Sequence, residues 1–408
     1  NALCSGFNYG HNLEILQNQT TIASSGLYEN NSVIKISGNK AFSIGALTTS
    51  FLMDLPLFSA NYPITPASDI LHNLSLYSSE QFKILQMEDE IAAINAVIGA
   101  AYGGSLSFSC TSGPGLDLMQ EGLGLAVMSE LPLVLLNIQR SGPSTGIPTK
   151  SEQTDLLSAI YGRHGESSVI VLAPNSPINC FWTIIEGFAL SILSLSPVII
   201  LSDANLANSS ESWTIPSIND IKNKFTLDFS TFKNKLLTNN KTVNARNKWI
   251  TPGKTGYELC IGGLERDLET GNVSQDYNNH FNMVKYRSQK IKAITNFFLP
   301  LEFFGKKTGN ILLVTWGSAY GVTRGVYNDI CTNTSISLVC LRHINPLPND
   351  LKIILSSFKK ILVIEENLGQ LAFILRSTYL LNIISINQVT GKPFDFNILK
   401  HNILNNVN

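Results

Sequence analysis

The chain has 408 residues, of which 44% are apolar and only 14% charged, with a net charge of −1. That length and apolar share support two or three domains with large buried cores. The near-neutral balance leaves a nucleic acid or an anionic membrane without an electrostatic driving force.

Residues 1–35 are polar, rich in Asn, Ser and Gly, and without sustained period, so they are expected to be a linker or the remnant of an upstream domain. An Asn rather than a Met at position 1 is expected of a processed or trimmed chain. Asn18 to Thr20 and Asn30 to Ser32 fit the glycosylation sequon, as an Asn-rich chain does by chance. From Gly38 a helix-like segment, Ala41 to Met53, leads into the turn-rich Asn61 to Ser68. Pro63 and Pro66 each fix a φ angle and extend the residue before them, and Thr65 before Pro66 is expected to cap a helix.

An alternating apolar run, Ile84, Leu85 and Met87, then meets Glu88, Asp89 and Glu90 at the head of an Ala-rich helical segment ending at Gly103-Gly104. Carboxylates in a first helical turn are favoured by the free amides and the helix dipole, so capping accounts for them. The near absence of charge from Ile91 to Gly104, however, predicts a buried helix, and a buried start needs a partner for at least one acid that is not solvent.

Ser105 to Cys110 reads as a strand, followed by Thr111-Ser112-Gly113-Pro114-Gly115 and a helix through Glu130. Leu131 to Ile138 is an apolar run of the kind buried in a parallel sheet, and Gln139-Arg140 ends it. The loop Ser141 to Lys150, rich in Gly, Pro and hydroxyls, stands where α/β sheets place ligands, at the carboxyl ends of strands. A second such loop, Tyr161 to Glu166, precedes the strand Val169 to Leu172. The window Cys180 to Leu201 holds Glu186 and breaks at Ser196-Pro197, so it reads as an amphipathic helix and a buried strand from Val198 to Leu201, not a membrane span. Residues 205 to about 300 turn polar, with Lys222, Lys224, Lys233, Lys235, Lys241 and Lys248 diluted by acids and Asn, which predicts a surface linker and not a nucleic-acid patch. From Gly309 the alternation resumes with strands at Ile311 to Val314, Ser337 to Leu341, Ile361 to Ile364 and Ile383 to Ile386.

The expected fold class is therefore α/β: a doubly wound parallel sheet over 36–205, an irregular connection over 206–305, and a smaller α/β domain over 306–408. Six scattered cysteines, Cys4, Cys110, Cys180, Cys260, Cys331 and Cys340, form no CxxC or Cys/His pair at ligand spacing. Neither a zinc site nor an iron–sulfur cluster is expected on this chain, and a reduced, cytoplasmic protein is. Arg140, at a strand end, suits either a small carboxylate or a structural ion pair. Thr65 suits capping or an oxygen of a ligand. His164, in a glycine-flanked turn, suits proton transfer or anion contact, and Lys150 stays equally open. There is no P-loop, G-x-S-x-G or HExxH.

Taken in order, Y-P-I-T-P-A-S (62–68), Q-M-E-D-E-I-A-A (86–93), T-S-G-P-G with L-M-Q-E (111–121) and Q-R-S-G-P-S-T-G-I-P-T-K (139–150) closely resemble the alpha subunit of the 2-oxoacid:ferredoxin oxidoreductases, nearest to the 2-oxoglutarate type. Further matches are Y-G-R-H-G-E (161–166), I-G-G-L-E (261–265), N-P-L-P (345–348), E-E-N-L-G-Q-L (365–371) and G-K-P-F (391–394). The resemblance implies a thiamine diphosphate enzyme in which this chain holds the aminopyrimidine ring through Pro63, Ile64, Thr65 and Glu90. Glu90 matches the glutamate that hydrogen-bonds the pyrimidine nitrogen and favours the tautomer that removes the thiazolium proton. Thr65 and Arg140 match residues holding the carboxylate and oxo group of the 2-oxoacid, and Lys150, Arg163 and His164 are candidates for a distal carboxylate.

The same resemblance puts Mg2+, the diphosphate and the iron–sulfur cluster on a beta subunit, in an α2β2 assembly that uses coenzyme A and passes electrons to ferredoxin. The second domain resembles that of transketolase C-termini. Many relatives carry a gamma-type domain ahead of the alpha part, which implies that here it is a separate chain or has been cut away. Leu55 to Ala60 departs from the expected glycine-bearing approach to the Thr65 loop. Two readings follow: a subunit of an oxidative decarboxylase, or a non-catalytic assembly or ligand-binding subunit that keeps the fold.

Overall fold

A computed structural model describes residues 1–12, 33–225, 249–253, 261–332 and 334–406. Strands and helices alternate through the first part of the chain. They are β1 (Val33–Ser37), α2 (Gly38–Met53, after an N-terminal α1 at Ala2–Asn12), β2 (Leu57–Asn61), α3 (Ser68–Ser75), β3 (Phe82–Gln86), α4 (Glu90–Tyr102), β4 (Leu106–Thr111), α5 (Gly113–Met128) and β5 (Val134–Gln139). Next come α6 (Leu156–Tyr161), β6 (Ile170–Leu172), α7 (Pro177–Ser194), β7 (Val198–Asp203), α8 (Ala204–Asn208), β8 (Ser210–Thr214) and α9 (Ile218–Lys224). Short polar side chains start these helices: Ser37 accepts from the Lys40 amide, Asp89 from Ala92, Ser176 from Asn179, and Asp203 from Asn205 and Leu206.

β6, β7, β5, β4, β2 and β3 lie side by side in that order, all parallel. β4, β5 and β7 are buried along their whole length, which is why they read as apolar runs without alternation. α2 and α7 cover one face, where Phe108 meets Phe188 edge-on at 5.9 Å. α4 and α5 cover the other, so close that a Cβ on Gly122 would stand 2.8 Å from Ile94. α7 is the one described helix long and apolar enough to cross a membrane, and most of it is buried in this core.

The second sheet is built from β9 (Glu302–Phe304), β10 (Gly309–Thr315), β11 (Ile336–Cys340), β13 (Phe358–Glu365) and β14 (Ile383–Asn387). Its order is β14-β13-β10-β11-β9, parallel except for β9. Between them β12 (His343–Asn345) leaves the second domain and pairs antiparallel with β6, extending the first sheet. A single apolar cluster then runs from Ala93 and Leu123 through Val314 and Trp316 to Leu371. The second sheet thus begins at Glu302, ahead of the expected boundary at 306, and the core does not break there. Behind β12, His343 Nε2 and Arg342 Nη2 each lie 2.7 Å from a carboxylate oxygen of buried Glu186, and Phe298 stacks on the His343 ring at 3.8 Å.

Three expectations change. Residues 1–12 are not irregular, because α1 forms there, and Val33 to Ser37 is a strand paired antiparallel with β8. The sequon matches at Asn18 and Asn30 lie outside the described residues. The segment 206–305 is not an irregular connection either: besides β8 and α9 it contains a helix, Tyr277–Ala293, whose buried stripe is only Asn279, Met283, Arg287 and Ile291. Two of those four are polar, so apolar period alone does not reveal it; Arg287 is buried because both ends of its guanidinium pair with Glu265 at 3.0 and 3.2 Å. Of the lysines read there, Lys233, Lys235, Lys241 and Lys248 lie outside the described residues. Finally, α4 is buried on one face only; Ile91, Asn95 and Gly99 on the other are exposed.

Candidate active site

The carboxyl ends of β5, β4, β2 and β3 open on one edge, where Thr65, Glu90 and Arg140 come together. The acidic trio separates into three roles. Glu88 is exposed, Asp89 caps α4 with 2.6 Å to the Ala92 amide, and Glu90 is buried with 6% exposure. Among the described residues no donor hydrogen-bonds the Glu90 carboxylate. A buried, ionisable group without a hydrogen bond is costly unless a ligand completes it.

Gly115 in the first turns of α5 makes that placement possible. A Cβ there would lie 2.0 Å from Thr111 Oγ1 and 2.8 Å from both Cγ and Oε1 of Glu90. Gly115→Ala is therefore expected to lower stability by about 1–3 kcal/mol and to displace Glu90, read as a lower urea midpoint together with lost activity. An unchanged midpoint and rate would mean that the Thr111–Glu90 packing yields freely.

Arg140 follows β5 and is buried, and its Nη1 donates to the Thr65 carbonyl at 2.7 Å while its Nε has no partner. Burial lowers its pKa, and the charges of Asp155 and Glu90 pull it back up. The guanidinium thus feels the charge of two carboxylates while its Nε–H stays uncommitted. Thr65 does not cap a helix. α3 begins at Ser68 with Ala67 as an unassisted N-cap, since the Ala67 and Ser68 amides bond the Ile64 carbonyl at 2.8 and 3.0 Å. That turn leaves the Thr65 side chain exposed, with Pro63 and Ile64 half-buried beneath it. Asn39 holds the loop by donating to the Pro66 carbonyl at 2.9 Å, and Asn61 ties β2 to β4 through the Cys110 amide at 2.7 Å.

A second carboxylate was not foreseen. Asp155 lies under Gly113 and accepts from Asn137 at 2.9 Å, and burial raises its pKa to about 6. Its place before α6 reads as an ordinary cap. The usable signal was Asn137 and Gln139, two amides inside an otherwise apolar strand, because buried amides require partners. Gln139 bonds the Asp155 amide at 3.1 Å and the Ser202 carbonyl at 3.1 Å.

The remaining candidates divide. Lys150 is exposed on the loop that follows Arg140. Arg163 is buried, and its guanidinium is engaged by the Ala159, Ile160 and Ser167 carbonyls at 2.9, 2.7 and 3.1 Å, so it closes the turn after α6. Burial lowers its pKa to about 10. Exposed His164 lines a separate cleft of about 890 Å³ with Gln120, Gly263 and Arg287, which none of Glu90, Thr65, Arg140 or Lys150 lines.

The family model for pyruvate flavodoxin/ferredoxin oxidoreductase, thiamine diphosphate-binding, matches residues 53–278. The 2-oxoglutarate oxidoreductase subunit KorA of Mycobacterium tuberculosis is 42% identical over 96% of this chain, which spans 60% of that relative's length. The 2-oxoglutarate synthase subunit KorA of Archaeoglobus fulgidus is 32% identical over 82% of this chain and 88% of its own. A 2-oxoglutarate:ferredoxin oxidoreductase from Magnetococcus marinus, solved with 2-oxoglutarate, coenzyme A and succinyl-CoA bound, superposes with a TM-score of 0.88 at 30% identity, over 99% of this chain and 71% of that one. A split-gene transketolase, at 10% identity and a TM-score of 0.50 over 91% of this chain and 93% of its own, shares the fold alone. With a family model matching more than half of the chain and relatives above 30% identity along most of it, the chain belongs to the pyruvate flavodoxin/ferredoxin oxidoreductase family of thiamine diphosphate-binding proteins.

Proposed function

We propose that this chain is the alpha subunit of a thiamine diphosphate-dependent 2-oxoacid:ferredoxin oxidoreductase that oxidatively decarboxylates 2-oxoglutarate to its acyl-CoA. A beta subunit would carry Mg2+, the diphosphate contacts and the iron–sulfur cluster, in a cytoplasmic α2β2 assembly that passes electrons to ferredoxin. The names of the relatives and the ligands of the Magnetococcus enzyme support the substrate, and free thiols at every described cysteine support the compartment.

The observation that carries the reading is Glu90: a carboxylate buried at a helix head, without a hydrogen bond among the described residues, beneath a glycine that leaves it room. Those residues fit the aminopyrimidine of thiamine diphosphate, with Pro63, Ile64 and Thr65 as the neighbouring loop. When bound, that cofactor supplies a nucleophilic carbon and an electron sink for cleaving the bond to the 2-oxoacid carboxylate. Glu90 accepts a hydrogen bond from the ring nitrogen and keeps the proton there. Arg140 offers its guanidinium to the substrate carboxylate and holds the Thr65 loop by its Nη1, so one side chain sets both the charge and the loop. Thr65 presents its hydroxyl to the oxo group. Lys150 faces a distal carboxylate, whereas Arg163 shapes the turn that carries His164.

The test uses the complex co-expressed with its partner and coenzyme A-dependent, dye-linked oxidation of a 2-oxoacid panel. Arg140→Met is expected to cut kcat/KM for every 2-oxoacid roughly 10- to 100-fold, the loss of a charge-assisted hydrogen bond. Equal rates for variant and parent would remove Arg140 from the site.

A further inference from the structure

The G-K-P-F segment has no part in the site described above, yet it touches it. Gly391, on the loop after β14, has a φ of +67° and is buried, although Thr390 and Lys392 beside it are exposed. What buries it is Lys150: a Cβ on Gly391 would stand 2.8 Å from the lysine Cβ, 3.2 Å from its Cγ and 3.9 Å from its Cδ. The loop is itself braced, with Gln388 Nε2 donating to the Lys392 and Pro393 carbonyls at 2.6 and 3.1 Å and Phe394 anchored in the second core. A fixed loop of the second domain therefore lies along the aliphatic stem of a lysine from the first.

The backbone of Lys150 is fixed as well. Ser141 N donates to the Lys150 carbonyl at 2.9 Å and Lys150 N donates to the Ile147 carbonyl at 3.0 Å, which closes the loop and sets Lys150 beside the residue that follows Arg140. Gly146, at φ +48°, allows that closure, since a Cβ there would lie 2.1 Å from the Ser141 carbonyl. Among the described residues the Lys150 ammonium has no ion pair or hydrogen bond. Two cations thus stand at the two ends of one loop: a buried guanidinium, and a free ammonium whose stem is backed by Gly391 on the side of the second domain.

We propose that Gly391 is a positioning residue for Lys150, holding its ammonium on the Arg140 side so that the site selects 2-oxoacids carrying a second, distal carboxylate. This rests on the reading of the Arg140 loop as the 2-oxoacid site. A glycine suits the position on two counts, the left-handed backbone and the absence of a Cβ against the lysine stem.

The experiment compares 2-oxoglutarate with 2-oxopentanoate, which has the same carbon count and no distal carboxylate, on the assembled complex. Lys150→Met is expected to lower the ratio of kcat/KM values at least tenfold, by weakening the binding of 2-oxoglutarate and so raising its KM. Gly391→Ala and Gly391→Asn are expected to lower that ratio at least threefold, again through KM with kcat retained. Asn tolerates the left-handed backbone, so agreement between the two variants assigns the effect to the Cβ contact and not to strain. In a Lys150→Met background the Gly391 substitutions should add nothing. Lys392→Met, a change of charge on the same loop, should leave the ratio unaltered.

A Gly391 variant that lowers both acids equally, or leaves the ratio intact while Lys150→Met changes it, overturns the proposal. So does Lys392→Met matching Lys150→Met, since the loop would then act by its own charge. If Lys150→Met itself leaves the ratio intact, the distal contact is elsewhere and the proposal falls with it, whereas failure of the wider reading would show as no turnover of either acid by the parent complex.

Discussion

Glu90→Gln is expected to lower kcat of the assembled complex by two to four orders of magnitude while leaving the fold and subunit assembly intact. The size is that of a general acid–base contribution, and glutamine keeps the shape while removing the negative charge. The environment makes the charge matter. Glu90 is buried, no described donor shares its oxygens, and Gly115 sits against its Oε1. Removing the charge also takes away one of the two carboxylates that support ionised Arg140. The substrate KM should rise, but by less than kcat falls, because Asp155 and the Thr65 carbonyl still hold the guanidinium in place. Steady-state assays beside a thermal melt check both halves. A variant that turns over at the parental rate favours the other reading, a subunit that keeps the fold and assembles without taking part in the chemistry.

What could be read in the sequence divides along physical lines. The central strands β4, β5 and β7 were legible because strands buried on both faces lose their alternation and become plain apolar runs. The special standing of Glu90 was legible too, from the conflict between three acids and an almost uncharged helix; which acid caps and which is buried needed the coordinates. The helix Tyr277–Ala293 was hidden because its inward stripe includes Arg287, whose burial depends on Glu265, twelve residues before the helix begins. Arg163 looked like a ligand-binding cation, but its partners are carbonyls, and backbone acceptors leave no trace in a residue pattern. Thr65 misled for a related reason: the residues matched a cap, yet the turn gave the amides to Ile64. The sharing of β12 between the domains was illegible because three residues carry too little pattern to reveal their sheet.

That shared junction yields the second large expectation, a stability profile set by two buried acids that titrate in opposite directions. Burial alone would raise the pKa of Glu186, but the charges of His343 and Arg342 outweigh it and hold the carboxyl at about 2, against an ordinary 4.5. The folded state therefore binds this proton less tightly than the unfolded chain does. Its contribution is complete above pH 4.5 and is lost as pH falls towards 2, a change of about 3 kcal/mol.

Glu366, beyond the end of β13, is the reverse case. Both its oxygens are buried without a partner, and burial first, then the nearby charges of Asp203 and Glu152, raise it to about 9. The folded state keeps this proton, so stability is greatest below pH 4.5 and declines as pH rises towards 9. Burial pushes the Asp203 carboxyl up as well, and the hydrogen bonds it accepts from the Ser318, Asn205 and Leu206 amides and from the Ser151 hydroxyl offset part of that rise. Glu366→Gln keeps the size and neutrality of the protonated acid and removes its titration. It is expected to gain on the order of 2 kcal/mol at pH 8 and nothing at pH 5, flattening the alkaline limb. Arg342→Met, which leaves Glu186 against a single partner in the core, is expected to cost about 3–5 kcal/mol near neutrality and to lose the advantage of the acid limb. Urea midpoints at pH 3, 5 and 8 separate the two. A Glu366→Gln variant less stable than the parent at pH 8 would mean that the carboxyl is ionised in the folded protein, and that the seam between the domains is held by a charge and not by a proton.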